Sequence, residues 1–188
     1  MRRLAALCCL TLTLFLTGCA PEESFTPYAD GKPAGSELTL WFVSDLHLLA
    51  GELTDQSPEF LEMVARGDGK TAQYSQEIGR ALVWEITSLP EAERPDVLLA
   101  AGDLTFNGEK LSHQAVTALF GEIEAAGVPV LALPGNHDVN SGMAYRYTGN
   151  TAEPVESVTA AGFRQLYRAF GWEDSLLRDS ESMSYVWE

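Results

Sequence analysis

The chain has 188 residues, 46% of them hydrophobic, enough for one domain with a well-buried core and too apolar for a disordered chain. Its 12 basic residues stand against 27 acidic ones, a formal net charge of −15 at pH 7. A surface of that sign excludes broad, sequence-independent binding to duplex nucleic acid, though not a phosphate substrate held by a local metal pair.

The N-terminal stretch MRRLAALCCLTLTLFLTGCA sets Arg2 and Arg3 before an apolar run from Leu4 to Leu16, followed by small residues. That run is too short to cross a bilayer comfortably and reads as the apolar region of a secretory signal. Leu16-Thr17-Gly18-Cys19 resembles the lipobox of bacterial lipoproteins, which implies residues 1–18 as a signal peptide and lipidation of Cys19. The expected location is extracytoplasmic, lipid-anchored to the bacterial cell membrane. Loss of Cys8 and Cys9 with the signal leaves Cys19 as the sole cysteine, so no disulfide can form within the mature chain. Residues 19–37, rich in Pro, Gly and acidic side chains, read as a flexible tether, and residues 38–188 as the domain.

In the domain, Leu38 to Val43 is a nearly continuous apolar, β-favouring run, as expected of a strand buried on both faces. A short helical piece is expected around Pro58 to Ala65. Thr71 to Leu89 carries Tyr74, Ile78, Leu82 and Ile86 near helical spacing and stops before Pro90. PDVLLAAGD reads as a second buried strand. Lys110 to Ala126 reads as an amphipathic helix, with Leu111, Ala115, Leu119 and Ile123 on one face and Gly127 past its end. VPVLALPG is a third strand, a further helix is expected from about Val158 to Phe170, closed by Gly171, and SMSYVWE reads as a strand that has only begun. Alternation of strand and helix predicts an α/β fold with a parallel sheet.

Each of the three strands ends in polar residues: SDLH with Asp45 and His47, GDLT with Asp103, and GNHD with Asn136, His137 and Asp138. Ligand sites of open α/β sheets lie outside the carboxyl ends of the strands, so three such clusters can converge on one crevice. Asp45 and His47, two apart on an extended segment, can grip one ion through oxygen and nitrogen. Asp103 offers two carboxylate oxygens, and Gly102 before it allows a tight turn. Asn136 supplies an amide oxygen beside the bulk-free Gly135, while His137 is suited to proton transfer near neutral pH.

The ordered set DLH, GDL and GNHD after buried strands resembles the calcineurin-like metallophosphoesterases. The resemblance implies a β-sandwich flanked by helices, here its N-terminal half, carrying two divalent metal ions such as Mn, Fe or Zn. It implies that Asp45 and His47 hold the first ion, Asp103 bridges both, Asn136 holds the second, and His137 protonates the leaving alkoxide or stabilises phosphoryl oxygens. The implied reaction is hydrolysis of phosphate monoesters or diesters, nucleotides among them, by a metal-bound hydroxide. The family completes its site with further histidines, one alone and then an H-x-H pair, whereas no histidine follows His137 here. The expectation is therefore an N-terminal fragment that binds metal poorly and is inactive alone. The alternative is a surface lipoprotein that uses the fold only to bind a ligand or partner.

Other polar residues read more plainly. Asp138 either steadies the local turn or supports the ligands from behind, and is not itself a ligand. His113, early in its helix, reads as an exposed surface histidine. Asn107 and Gly108, just past Asp103, read as turn residues, with lining of the cleft as the alternative, and Trp41, Trp84 and Trp172 read as core or rim packing rather than a substrate platform.

Overall fold

The computed structural model describes residues 37–66, 70–179 and 181–188. The signal segment, Cys19 and all of the tether but its last residue lie outside the described residues.

Three parallel strands form the central sheet in the order β1 (Leu40–Val43), β2 (Val97–Ala101), β3 (Val130–Leu133). Register pairs Leu40 with Val97 and Leu98 with Val130. Parallel neighbours need a crossover, and helices supply both. The first carries α1 (Pro58–Arg66) and α2 (Ser75–Ser88), and the second carries α3 (Lys110–Ala125). An antiparallel hairpin, β4 (Tyr145–Thr148) with β5 (Thr151–Pro154), follows β3. Then come α4 (Ala160–Leu166) and the short ribbon of β6 (Leu177–Arg178) with β7 (Tyr185–Val186). The expected α/β architecture is present, and SMSYVWE does enter a strand. The expected helix near Gly171 is shorter: α4 ends at Leu166, and a wide turn over Arg168–Trp172 follows it.

One face of the sheet is packed. Leu98, Ala100, Val130 and Ala132 meet Val83, Ile86, Val116, Leu119, Phe120 and Ile123 of α2 and α3 in the main core. Each large aliphatic side chain buried there stabilises the fold by roughly 1.5–3 kcal/mol. The other face is open: Phe42 is 70% exposed, and Leu40 and Leu133 are exposed beside it. This corrects the expectation that the first strand is buried on both faces. Among the described residues the helices cover a single side, so β1 alternates between half-buried and exposed.

Two helix faces also differ from the periodicity. On α2 the buried residues are Ser75, Gly79, Val83 and Ile86, while Tyr74 and Ile78 are exposed. The rotation follows from contacts that hydrophobicity does not encode. A Cβ on Gly79 would lie 2.6 Å from Leu119 Cδ1, so glycine lets α2 and α3 approach closely. The Ser75 hydroxyl accepts the Leu49 N–H at 3.0 Å and donates to the Ala72 carbonyl at 2.8 Å. On α3, Leu111 is exposed and Ser112 and His113 are buried instead. A smaller core of Leu49, Leu53, Phe60, Val64, Phe106 and Tyr147 seats α1 and the β4–β5 hairpin beside the carboxyl ends of the strands. Trp41 packs against the main core, and Trp84 is exposed on α2.

Candidate metal centre

Beyond the strand ends the chain continues to pair. The Asp45 N–H donates to the Gly102 carbonyl at 3.1 Å, and the His47 N–H to the Asp103 carbonyl at 3.0 Å. The segment after β1 is thereby zipped to the segment after β2. Its backbone is not extended: Asp45 (φ 56°), His47 (φ 41°) and Asp103 (φ 50°) all lie in the left-handed region. The alternation argued from an extended segment is thus not what gathers these side chains; backbone kinks at each ligand do it. A non-glycine residue in that region costs about 1–3 kcal/mol and persists where the surroundings over-determine it, commonly at functional sites.

The result is a cluster. One ligand atom each from Asp45, His47 and Asp103 lies within 4.8 Å of the other two. His47 Nε2 stands 3.7 Å from Asp45 Oδ1 and 4.0 Å from Asp103 Oδ2. These separations are too long for hydrogen bonds and fit donors that share an ion at about 2.0–2.2 Å each. Burial, followed by the nearby Lys70 ammonium, depresses the His47 pKa, although Asp103 opposes the shift. A depressed pKa keeps the imidazole neutral, the form that binds metal. The Thr105 backbone favours a proton on this ring, but its geometry falls short of a hydrogen bond, leaving Nδ1 buried without one. Two carboxylates and a neutral imidazole make a donor set that suits a divalent first-row cation.

The third strand end arrives through a turn over Gly135 to Asp138. A Cβ on Gly135 would lie 2.2 Å from Asp103 Oδ1 and 2.3 Å from the Asp103 backbone nitrogen, so only glycine permits this approach. The His137 N–H then donates to Asp103 Oδ1 at 3.0 Å. Asp103 therefore presents Oδ2 toward His47 while Oδ1 receives the turn. Asn136 is exposed between the two residues that touch Asp103. The His137 ring meets the His47 ring edge-on with centroids 5.0 Å apart, which puts it on the rim of the same cluster.

Asp138 is fully buried and holds this corner together, as expected of it. Its carboxylate accepts from the Leu104 N–H (3.1 Å), the Thr105 N–H (2.8 Å), the Thr105 hydroxyl (2.7 Å) and the Gly135 N–H (2.8 Å). The loop after β2 and the turn after β3 are thus fastened through one side chain. His113 is a correction: it is buried, not exposed. Its Nε2–H donates to the Asp138 carbonyl at 2.8 Å, and its Nδ1 accepts from the Tyr167 hydroxyl at 2.9 Å. A carbonyl can only accept, so this pairing fixes the neutral tautomer, and burial depresses the pKa in the same sense.

Two further residues stand beside His137, one of them the Asn107 for which lining of the cleft was the alternative reading. Asn107 is a buried loop residue whose Oδ1 lies 3.0 Å from His137 Nδ1, in addition to its place in the turn. Its position four residues past Asp103 was a usable signal. Lys70 Nζ lies 3.1 Å from His137 Nδ1 and 3.4 Å from Nε2. Nothing in the sequence around Lys70 announces that proximity.

No curated protein matches the chain. A family model described as calcineurin-like phosphoesterase matches residues 38–181, which span all three strand-end clusters. The chain belongs to the calcineurin-like phosphoesterase family.

Proposed function

We propose that this protein hydrolyses phosphate monoesters or diesters, nucleotides among them, with divalent metal ions held at the carboxyl ends of β1, β2 and β3. The observation that carries the proposal is the convergence of Asp45, His47 and Asp103, drawn from two strand ends onto one point. In this reading Asp45 and His47 would hold a first ion, Asp103 would serve both ions, and Asn136 would contribute to the second. Divalent ions supply Lewis acidity toward phosphoryl oxygens and acidify water at neutral pH.

The chain's own residues do the rest. Asp103 is fixed by the His137 amide and the close approach of Gly135, so its free oxygen has a set direction. Asn107 accepts the Nδ1–H of His137, which leaves Nε2 as the nitrogen that meets substrate. From there His137 delivers a proton to the leaving oxygen or steadies the phosphoryl group. The kinked backbone holds the ligands before substrate arrives, so little reorganisation is needed during reaction.

The direct test is hydrolysis of p-nitrophenyl phosphate, with added Mn²⁺, by the complete protein. Asp103→Asn is expected to lower kcat/KM at least about 100-fold, the scale on which a principal charge-stabilising group acts. An inert wild type across several metals, or a variant as active as the wild type, would sink the enzyme reading.

The proposed location is the outer side of the cell membrane, held by lipid on Cys19, on the strength of the Leu16-Thr17-Gly18-Cys19 pattern after a short apolar run. In a bacterial host, Cys19→Ala should move the protein out of the membrane pellet and abolish incorporation of labelled fatty acid. Equal labelling of both forms would refute it.

A further inference from the structure

We propose that the opening of α3 is a positioning platform for the metal centre: Glu109, Ser112 and His113 each hold one of the three strand-end loops, and His113, through the Asp138 carbonyl, sets the placement of His137. The inference rests on the phosphoesterase reading and names positioning residues within it.

The three side chains are polar, lie within about one helical turn and are each 0% exposed. Burying a polar group costs free energy unless it is bonded, and here each bond goes to a different loop. Ser112 Oγ accepts the Ala50 N–H at 3.2 Å, three residues past His47 in the loop after β1. Glu109 Oε2 accepts the Asn107 N–H at 3.1 Å, four residues past Asp103 in the loop after β2. His113 Nε2–H donates to the Asp138 carbonyl at 2.8 Å, one residue past His137 in the turn after β3. One stretch of helix thus registers all three clusters against one another. The rotation of α3 that exposes Leu111 is what turns these polar side chains inward.

The anchors are tightly connected to the residues they serve. Between Ala50 and His47 the chain is paired: the Leu48 N–H donates to the Leu104 carbonyl, and the Leu48 carbonyl accepts the Phe106 N–H, both at 3.0 Å. The turn over residues 135–138 is closed by the Asp138 N–H on the Gly135 carbonyl at 3.3 Å, so Asn136 and His137 move with it as a unit. A Cβ on Gly108 would lie 3.0 Å from the carbonyl oxygens of both His137 and Asp138, so the loop entering α3 presses directly on that turn. His113 is itself held from the far side. Its Nδ1 accepts the Tyr167 hydroxyl at 2.9 Å, and its ring lies edge-on to Phe163 and Tyr167 with centroids 5.7 and 5.5 Å away. A side chain locked by packing and by a second hydrogen bond transmits position, as a precise site requires.

The test follows amide hydrogen exchange by NMR in the complete, metal-free protein, with the core amide of Leu98 as the reporter of global unfolding. His113→Leu should speed exchange of the His137 amide about tenfold, the scale of one buried hydrogen bond, and of Leu48 less than about threefold, relative to Leu98. Ser112→Ala should reverse the order, with Leu48 accelerated more than His137. His113→Gln, whose amide can donate to Asp138 and accept from Tyr167, should restore most of the protection at His137. Tyr167→Phe, a milder change that keeps the Asp138 bond, should fall between wild type and His113→Leu. Equal acceleration at His137, Leu48 and Leu98, or none at His137, would overturn the proposal. With p-nitrophenyl phosphate at saturating Mn²⁺, His113→Leu should lower kcat about tenfold with KM changed less than about threefold, and His113→Gln should recover most of the rate. A wild-type kcat in His113→Leu would also overturn it. A wild type that hydrolyses no ester refutes the enzyme reading alone, since the exchange pattern still decides the role of His113.

Discussion

Gly135 carries the tightest constraint in the site. An added Cβ would fall 2.2 Å from a carboxylate oxygen of Asp103 and 2.3 Å from the Asp103 backbone nitrogen, which is main chain and cannot swing aside. Gly135→Ala should therefore cost about 1–3 kcal/mol in a urea melt, the range of overpacking strain, and weaken Mn²⁺ binding in calorimetry. An alanine variant of wild-type stability and affinity would mean that the turn relaxes freely. At this scale much of the site was legible. Asp45, His47, Asp103 and His137 stand next to apolar runs, and side chains of that chemistry at strand ends have few other uses. The role of Asp138 was also legible, because an acidic residue inside a turn has amides to satisfy. Asn107 was legible as a residue near the cleft but not as a partner of His137, and Lys70 was not legible at all, since both contacts depend on how the loops fold back.

Helices tell a different story. Period located α2 and α3, but it placed their buried faces by side-chain hydrophobicity, and packing obeyed other terms. Gly79 turns toward α3 because absence of bulk lets the helices close, and Ser75 and Ser112 are buried because each accepts a backbone N–H, from Leu49 and Ala50 respectively. His113 belongs to the same class: its two ring nitrogens bond Tyr167 and the Asp138 carbonyl, so burial leaves nothing unsatisfied. Burial also depresses its pKa below the ordinary 6.5, which gives a stability term of definite sign. The native state binds fewer protons than the unfolded one, so this contribution is fully present above about pH 6.5 and is lost as pH falls through the lower folded value. The urea midpoint should fall between pH 7 and pH 5, and His113→Gln should flatten that slope while lowering stability at pH 7. A slope identical in the variant would place the titration elsewhere.

Among the described residues the central sheet is one-sided. Parallel sheets are normally covered on both faces, yet here Leu40, Phe42 and Leu133 are exposed, and Leu99, Leu131, Tyr185 and Trp187 line a groove of about 450 Å³ with Phe42 and Leu133. An apolar area of this kind should bind a hydrophobic dye and promote self-association. Phe42→Ser with Leu133→Ser should reduce dye fluorescence and light scattering together; unchanged signals would assign them to another surface. The α/β class could be read from the alternation of strand and helix, but one-sidedness could not, because an apolar run looks the same whether one face or two are covered. The register has a further consequence, for how the protein assembles. The Leu98–Val130 pairing closes a loop little more than half as long as the one closed by Leu40–Val97. Loop-closure entropy then favours the β2–β3 pairing over the β1–β2 pairing by about 0.5 kcal/mol, roughly a factor of two. Cation capture by the cluster therefore requires the longer of the two closures, the one that brings Asp45 and His47 to Asp103.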